Sequence, residues 1–511
     1  MSRLRLIAAA IIPIFVASAC GTAASPSPSV STPPASGPLG SAPAASGSGE
    51  FSGVEVNLLT FNGPQVAEPL QRRAPDFEKL TGAKINVVAV AFQEIYDKAI
   101  LDLSTNTNSY DAFVFNPQWL GDFVGPGYLE DISGRVDGDS VLNWQDVGPF
   151  FRDFNATYGG KVYTIPLDGD FHMVYYRSDL IQTPPATWEE YLTVAAAHHG
   201  KDLNGDGEAD YGSCIAKKKG QQSFWWIISV AGGLLQAKGT EEGAFFDTTN
   251  MNPLFNNDAL KKALETYKKT MDYGPPDESN LGVGDTRGLF NTGRCALSMD
   301  WGDIGTLALD PATSTVQDKV GAVITPGWKE VLDRATGKLV PCDGTTCPNA
   351  VDGVNYAPFA SFGGWSGAIN AAADAKKKDA AYAFLAYMSA PAQSSEDVTL
   401  GKTGFNPYRT SHFEDPAPWK AVGMSDAAAA NYLGAIKASL ENPNMILDLR
   451  IPKTKEYEQD VLDTAVSQYI AGELTVEETM QQITDGWNQI TEAEGRDKQL
   501  SAYTSSLGVE R

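Results

Sequence analysis

Oxygen-bearing side chains alternate along the segment DLNGDGEADYGS, which begins at Asp202 and ends at Ser213. The candidate ligands are the side chains of Asp202, Asn204, Asp206 and Asp210 and the backbone carbonyl of Glu208. A hard cation such as Ca²⁺ prefers many oxygen ligands, and a glycine at the sixth position permits the sharp turn of an EF-hand-type loop. Ser213 replaces the bidentate glutamate of the twelfth position, which predicts a weak site. The segment therefore predicts a structural calcium site, and the alternative is a polar turn that binds no metal.

Four cysteines follow residue 20, and their spacing suggests two disulfides. Cys342 and Cys347 enclose a short, turn-rich loop, DGTT, which favours a local bridge. That pairing leaves Cys214 for Cys295. An even number of cysteines is typical of exported proteins that carry disulfides. A metal site is the weaker alternative, because no histidine lies near any of the four.

The N-terminus has the features of an export signal. Arg3 and Arg5 precede an uncharged, mostly apolar run, 6–16, that is shorter than the roughly 20 residues of a membrane-spanning helix. Ala-Ser-Ala and then Cys20 end this run, and the arrangement resembles a bacterial lipobox, although Ala17 stands where that motif prefers leucine. We therefore expect residues 1–20 to be a signal peptide and Cys20 to carry a lipid. An ordinary signal peptide, cut near Ala19, is the alternative.

The composition separates a linker from a large soluble body. Residues 21–52 are mainly Ala, Ser, Pro and Gly, which cannot bury enough apolar surface to fold and predict a disordered tether. The remaining part of about 460 residues is too large for one core and predicts two lobes. The formal net charge of −24 argues against a nucleic-acid partner, which requires a basic surface.

The hydrophobic pattern predicts a β-α-β-α-β alternation at the start of the body. Strands are expected at 54–61, 83–91 and 110–115, with helices at 66–81 and 92–103. Such an alternation predicts a parallel sheet, whose ligands bind beyond the carboxyl ends of the strands. The loops 62–65 and 116–119 are therefore candidate binding loops. A strand pair is expected at 161–165 and 171–176, and a capping box at Thr187 and Glu190 predicts the start of a helix.

Five segments, taken together and in order, carry a family resemblance. They are YDAFVFNPQWLGDFVGPGYLEDI (110–132), YGGKVYTIPLDGDFHMVYYRSDL (158–180), PPATWEEYL (184–192), LFNTGRCALSMDWGDIG (289–305) and FGGWSGAINAAADAKKKDAAYAFLAYMSAP (362–391). The chain resembles the extracellular solute-binding proteins of ABC importers, in the branch that binds sugars.

The resemblance implies an α/β, two-lobed periplasmic-binding-protein-like fold with a ligand cleft between the lobes. The first lobe would comprise 53–166 and 368–415, and the second 167–367 and 416–511. The protein would capture a carbohydrate, a short oligosaccharide, by hinge closure and deliver it to ABC permease subunits. We expect a monomer that holds to the membrane through its lipid alone and requires no cofactor.

The expected ligand contacts combine aromatic rings, which stack on the C–H faces of sugars, with side chains that bond to hydroxyl groups. The two binding loops contribute Asn62, Gln65, Asn116, Gln118 and Trp119, where Trp119 has a core helix residue as its alternative. The resemblance adds Asp170, with Asp168 as a substitute, and Trp301 with the adjacent Asp303. The remaining candidates are Gln222, Trp225, Trp226, Trp365 and Arg409, where one of the paired tryptophans would face the cleft and the other would be buried.

Two other classes of protein remain as alternatives. A secreted carbohydrate-active enzyme could use paired carboxylates such as Asp168 and Asp170 for acid–base chemistry. The sequence contains neither an HExxH nor a GxSxG motif, and it has only four histidines. A lectin-like surface adhesin would bind carbohydrate without a permease. We expect a binding protein with no catalytic residues.

Overall fold

The computed structural model describes residues 49–361, 363–400 and 403–509, so Cys20 and most of the expected signal peptide and linker lie outside the described residues. The strands are β1 (Glu55–Phe61), β2 (Lys84–Val90), β3 (Ala112–Phe115), β4 (Thr157–Tyr158), β5 (Lys161–Val162), β6 (Thr164–Pro166), β7 (Met173–Arg177), β8 (Tyr211–Cys214), β9 (Cys295–Asp300), β10 (Val320–Ile324), β11 (Glu330–Asp333), β12 (Lys338–Pro341) and β13 (Ser366–Ile369).

The α-helices are α1 (Pro64–Thr81), α2 (Phe92–Thr105), α3 (Leu120–Val124), α4 (Ser133–Val136), α5 (Trp188–His198), α6 (Ser223–Leu235), α7 (Asp258–Lys269), α8 (Val283–Asn291), α9 (Ile304–Leu307), α10 (Ala375–Ser389), α11 (Pro391–Thr399), α12 (Thr410–Glu414), α13 (Ala417–Ala421), α14 (Asp426–Leu440), α15 (Asp463–Ala471), α16 (Val476–Glu494) and α17 (Arg496–Ser506). Two further segments, Phe150–Asn155 and Glu456–Leu462, are π-helical. No helix within the described ranges is both long and apolar enough to span a bilayer.

The first lobe is built on a five-stranded sheet of order β2-β1-β3-β13-β6. β1 pairs in parallel with β2 and β3, as the predicted β-α-β-α-β alternation requires. β13 returns to this sheet antiparallel to β3 and β6, and helices α1 and α10 pack on it. The expected boundary between residues 367 and 368 falls inside β13.

The second lobe is built on a four-stranded sheet of order β10-β7-β9-β8. β7 pairs antiparallel with β9 and β10, so the predicted pairing of 161–165 with 171–176 is wrong. β6 pairs with β13 in the first sheet, and residues 167–172 then carry the chain to the second sheet. The amide of Leu167 still bonds to the first lobe, at the Trp365 carbonyl. Six residues later, β7 has entered the second sheet.

Local signals position the second lobe. Thr187 caps α5 by accepting a hydrogen bond from the Glu190 amide, as predicted. Helix α6 is buried at every residue, because its sequence SFWWIISVAGGLL carries no charge. The two predicted disulfides are present: Cys214–Cys295 joins the neighbouring strands β8 and β9, and Cys342–Cys347 closes the short loop after β12.

Candidate ligand-binding site

A cavity of about 370 Å³ lies between the two lobes. The first lobe lines it with the carboxyl end of β1, the start of α2 and the segment that precedes β13. The second lobe lines it with the N-termini of α6 and α8 and with the loop after β9. The lining residues are Phe61, Asn62, Gly63, Val66, Phe92, Asp170, Gln221, Gln222, Trp225, Val283, Gly284, Arg287, Trp301, Asp303, Trp365 and Gly404.

Aromatic rings from both lobes form the apolar walls of this cavity. Phe61 stacks on Trp365 with the ring centroids 5.5 Å apart and the planes 7° from parallel. Phe92 packs edge-on against Trp365 and against Trp225. Trp225 in turn meets Trp301 at 89°, with 5.3 Å between the centroids. These contacts fix the ring faces, so a ligand meets preformed stacking surfaces.

The orientation of Trp301 is set from two sides. Its indole Nε1 donates a hydrogen bond of 2.6 Å to Gln222 Oε1. Behind it, the His172 ring lies 4.0 Å from the Trp301 ring and 4.1 Å from Trp226. Burial lowers the pKa of His172 well below its ordinary value, so this ring stays neutral between the two indoles. His172 therefore supports the Trp301 wall without adding charge to the cavity.

A buried ion-pair cluster forms the polar wall. The Arg287 guanidinium donates to Asp300 Oδ1 at 2.9 Å from Nε and 2.7 Å from Nη2, and Nη2 also contacts Asp303 Oδ2. Burial opposes the charge on Arg287, but the two carboxylates outweigh it and raise its pKa. Burial raises the pKa of Asp303 to about 6, although Arg287 acts in the opposite direction. The Nε and Nη2 groups of the arginine are thus paired with protein carboxylates.

The cavity floor is formed where the chain crosses between the lobes. Asn406 Nδ2 donates to Asp170 Oδ1 at 2.7 Å, and the Asn406 amide donates to Asp168 Oδ1 at 2.6 Å. Asp168 Oδ2 accepts from the Trp365 amide at 3.2 Å. Burial, followed by the charge of Asp303, raises the pKa of Asp168 to about 7. Burial, followed by the charge of Asp168, raises the pKa of Asp170 well above its ordinary value.

Close backbone packing allows this floor to form. A Cβ at Gly364, which has a φ of 93°, would collide with the Asp168 carbonyl. A Cβ at Gly302, directly after Trp301, would collide with the Asn406 side chain. Only glycine permits both approaches, and Gly364 also needs the left-handed backbone.

The structure brings about half of the predicted contact residues to the cavity. Those that line it are Asn62, Asp170, Gln222, Trp225, Trp301, Asp303 and Trp365. Trp225, rather than Trp226, faces the cavity, because Trp226 stacks on His172 inside the second lobe. The side chain of Gln65 is outside the described set. Asp168 lies one layer behind the cavity, where it holds the backbone of Asn406 and Trp365.

Trp119 and Arg409 require a correction, because both are core residues of the first lobe. Trp119 is 1% exposed and packs against Phe115 and Phe123, in continuation of the helical apolar stripe. The Arg409 guanidinium donates to backbone carbonyls, including Ser389 O, and to Asp146 Oδ2 at 3.1 Å.

Asn116 and Gln118 also lie away from the cavity. Both are fully buried, and Gln118 donates to Glu458 of the second lobe at 3.2 Å. Their loop therefore meets the second lobe through a different contact from the one predicted.

Sequence reasoning missed Arg287 and the rings of Phe61 and Phe92. Phe61 ends β1 and directly precedes Asn62, so the rule of strand ends could have found it. Phe92 occupies the equivalent position after β2. Arg287 could have been inferred from its partners, because Asp300 and Asp303 flank a buried tryptophan and require a cation nearby.

The predicted calcium loop is held by hydrogen bonds to its own backbone. Asp202 accepts from the amides of Gly205 at 2.6 Å and Gly207 at 2.9 Å. Asp210 accepts from the Leu203 amide and forms an ion pair with Arg294 at 2.8 Å. Within the described ranges, no three acidic, histidine or cysteine side chains converge as metal ligands. In this arrangement the carboxylates bond to the amides of the loop and to Arg294, and the calcium site stays a prediction.

The chain is similar to known proteins both in sequence and in fold. The family described as "Bacterial extracellular solute-binding protein" matches residues 63–394. The mannitol-binding protein of Pseudomonas aeruginosa is 29% identical over 245 residues, which are 47% of this chain and 52% of that protein. A probable amino-acid ABC transporter periplasmic-binding protein of Sinorhizobium fredii is 25% identical over 401 residues, 76% of this chain and 80% of that protein.

A solved solute-binding protein of Agrobacterium radiobacter in complex with ribitol has the same two-lobed fold. The two structures superpose with a TM-score of 0.70 at 22% sequence identity. The match covers 86% of this chain and 99% of the ribitol-bound protein. At this identity the similarity establishes the fold. The aligned part spans about half the length of the mannitol-binding relative.

Proposed function

We propose that this chain, which belongs to the bacterial extracellular solute-binding proteins, captures a sugar or sugar alcohol in the interlobe cavity and delivers it to an ABC permease. The observation that carries the proposal is the composition of the cavity. Ring faces of Phe61–Trp365, Trp225 and Trp301 stand opposite the carboxyl groups of Asp170 and Asp303. Polyhydroxylated solutes present C–H faces to rings and hydroxyl donors to carboxylates.

The electrostatics of the cavity favour a neutral ligand. Among the described lining residues Arg287 is the one arginine, and two carboxylates, Asp300 and Asp303, already balance its charge. An anionic ligand would therefore meet carboxyl groups without a cation of its own, and this disfavours phosphorylated sugars and the carboxylates of amino acids. Neutral hydroxyl groups can donate to Asp170 and Asp303 at no such cost.

The volume of the cavity favours a small ligand. About 370 Å³ lies near the lower end of the range for small-molecule sites, roughly 300–1,000 Å³. A monosaccharide or a linear polyol suits this space better than the oligosaccharide expected from the sequence. The mannitol-binding relative supports this choice. An oligosaccharide would need a wider opening between the lobes than this structure has.

We place the protein outside the cytoplasm as a monomer, tethered to the membrane by a lipid on Cys20. The family is extracellular, and the linker 21–52 would let the folded body reach its permease while remaining at high local concentration. The function proposed is binding without turnover. Incubation with a bound sugar, followed by chromatography, should return the sugar unchanged; the appearance of products would favour the enzyme alternative.

A thermal-shift screen tests the ligand class directly. D-mannitol, ribitol, D-glucose and maltose are compared with glutamate and glycerol phosphate, and hits are confirmed by calorimetry. We expect stabilisation by at least one of the neutral polyols or sugars. Stabilisation by glutamate or glycerol phosphate alone would refute the proposal.

Variants then place the ligand in the cavity. Trp301→Ala removes a stacking face and should weaken binding at least tenfold, about 1.4 kcal/mol. Asp170→Asn should weaken it because one carboxyl oxygen that can accept from a ligand hydroxyl is replaced by an amide group that cannot accept. Asp153→Asn, at an exposed position 63% accessible, is the matched control and should bind as the wild type does. Equal affinity of the wild type and the three variants would show that the ligand does not bind in this cavity.

A further inference from the structure

Two carboxylic acids are buried together behind the Trp225 wall of the cavity. Asp448 follows α14, and Glu458 lies in the π-helical segment; they are 2% and 1% exposed. The two carboxyl groups are close enough for each to act on the pKa of the other. This pair lies outside the ligand cavity itself.

The donors that face the pair from outside are neutral. Trp225 Nε1 donates to Asp448 Oδ2 at 3.1 Å, and the Leu449 amide donates to Asp448 Oδ1 at 3.0 Å. Gln118 Nε2 donates to Glu458 Oε2 at 3.2 Å. No hydrogen-bond donor in the described ranges reaches Glu458 Oε1. Two ionised carboxylates buried side by side repel each other and lack solvation, so burial favours a proton on one of them.

Arg450 acts on the charge of Asp448, but its hydrogen bonds are directed elsewhere. Its guanidinium donates to the carbonyls of Phe154 and Thr157 and lies 4.3 Å from the Phe154 ring. Burial lowers the pKa of Arg450 to about 10, so it remains charged. Burial raises the pKa of Asp448 to about 6, and burial with the charge of Asp448 raises the pKa of Glu458 well above its ordinary value.

The charged groups of the surrounding elements have other partners. Helix α6 carries none. They include Asp463 of α15 with the Gly220 amide, Asp122 of α3 with the Lys453 amide, Lys455 with Asp97 and Asp460, Lys453 with Glu456, and Glu492 and Glu494 of α16 with Arg496 and Lys498. None of these contacts neutralises the Asp448–Glu458 pair.

The pair lies where the two lobes meet. Gln118 follows β3 of the first lobe, whereas Glu458, Asp448 and Trp225 belong to the second. Separation of the lobes would remove the Gln118 amide from Glu458 and admit water to both carboxyl groups. Closure therefore both desolvates the pair and holds Trp225 against the ligand space.

We propose that Asp448 and Glu458 share one proton when the cleft is closed, and that closure takes this proton up from solvent, so that solute capture is linked to pH. The two residues are positioning residues, since they act on the ligand through Trp225. The inference rests on the proposed function, because it assumes that the lobes close on a ligand.

The sign of the linkage follows from the burial of the acids. In the open form both acids titrate near their ordinary range of about 4. In the closed form the pair retains a proton to higher pH, so the closed form binds one more proton in between. Affinity should therefore be greatest in acid and fall as pH rises, by up to about tenfold per pH unit for one proton.

Calorimetry measures the proton directly. D-mannitol, or whichever of ribitol, D-glucose and maltose binds in the screen, is titrated at pH 7 in two buffers of different ionisation heat. We expect the wild type to take up about one proton more per binding event than Glu458→Gln, in which the pair can no longer share a proton. The affinity of the wild type should also fall more steeply with rising pH than that of the variant. Equal proton uptake by the two proteins would overturn the inference.

Two further variants separate this role from a structural one. Glu456→Gln makes the same change two residues away, at a side chain 44% exposed that pairs with Lys453, and should keep the wild-type proton uptake. Asp448→Asn replaces Glu458→Gln if the latter does not fold, with the same expectation.

A measurement without ligand distinguishes failure of this inference from failure of the proposed function. If no sugar or polyol binds, the proposed function is refuted, and small-angle scattering of the ligand-free protein still tests the pair. Glu458→Gln at pH 8 should be as compact as the wild type at pH 5, and the wild type at pH 8 should be more open. Equal compactness of the two proteins at both pH values would overturn the inference.

Discussion

Replacement of Arg287 by Met tests the electrostatic reading of the cavity wall. The change keeps an unbranched side chain of similar length but removes three N–H contacts to two buried carboxyl groups, Asp300 and Asp303. Loss of one partner from a buried ion pair costs about 3–5 kcal/mol. With an unfolding entropy of about 2.1 cal/mol/K per residue over about 460 residues, 1 kcal/mol corresponds to roughly 1 °C. We therefore expect a melting temperature about 3–5 °C lower at pH 8.

The pH dependence of this loss identifies its cause. Arg287 lowers the pKa of both carboxyl groups, so its stabilising effect is present where they are ionised and is lost as pH falls through their range. Asp303 titrates at about 6 in the wild type and should titrate higher in the variant. The deficit at pH 5 should thus be smaller than at pH 8, as measured by calorimetric unfolding.

The matched control is Arg152→Met, which breaks an exposed pair with Asp153 and should cost at most about 1 kcal/mol. A deficit in Arg287→Met that is equal at both pH values would show that lost packing, rather than lost charge, causes it. A deficit no larger than that of the control would refute the buried ion pair as a stabilising element of the wall.

Three further predictions concern features away from the cavity. Cys214→Ser should destabilise the protein by about 4 kcal/mol and Cys347→Ser by about 2 kcal/mol in denaturant titrations, because the first bridge closes a loop of 81 residues and the second a loop of 5. A larger loss in Cys347→Ser would contradict the loop-closure argument. Cys20→Ala should release the protein into the medium, as detected by fractionation and immunoblotting, and retention on the cell would show a different anchor. Calcium added to chelator-treated protein should bind at a single site in calorimetry and raise the melting temperature. If there is no heat of binding and no change in melting temperature, the loop at 202–213 is a turn that binds no metal.

The elements of the first lobe could be predicted because their signals are local. β1, β2 and α1 follow from alternating or periodic apolar residues with glycine and proline at their ends. The sheet partner of β7 could not be predicted in this way. Residues 161–177 contain two apolar runs separated by a turn-like DGD, which is also the pattern of a hairpin. Only the pairing of β7 with β9, more than a hundred residues later, shows that the chain changes sheets there.

The candidate site was predictable where a strand end fixed it and unpredictable where packing decided. Asn62 and Trp301 each follow a strand, and both line the cavity. Trp119 also follows a strand, yet its ring turns into the core because Phe115 and Phe123 offer it a partly stacked apolar site. The choice between Trp225 and Trp226 depends on His172, which stacks on Trp226 from another segment of the chain. No local pattern records such a contact.

Between the lobes, the excess of acidic residues has a more specific effect than keeping the protein soluble. One cluster of buried carboxyl groups, at the cavity, consists of Asp168, Asp170 and Asp303. A second cluster, behind Trp225, consists of Asp448 and Glu458. Arg287 acts on the first cluster and Arg450 on the second, so each cluster contains more acids than cations. Burial without enough cations can be balanced only by protons, which is why these acids have raised pKa values. If opening of the cleft admits water to these clusters, as proposed above, the pKa values of their acids should fall toward the ordinary range and protons should be released.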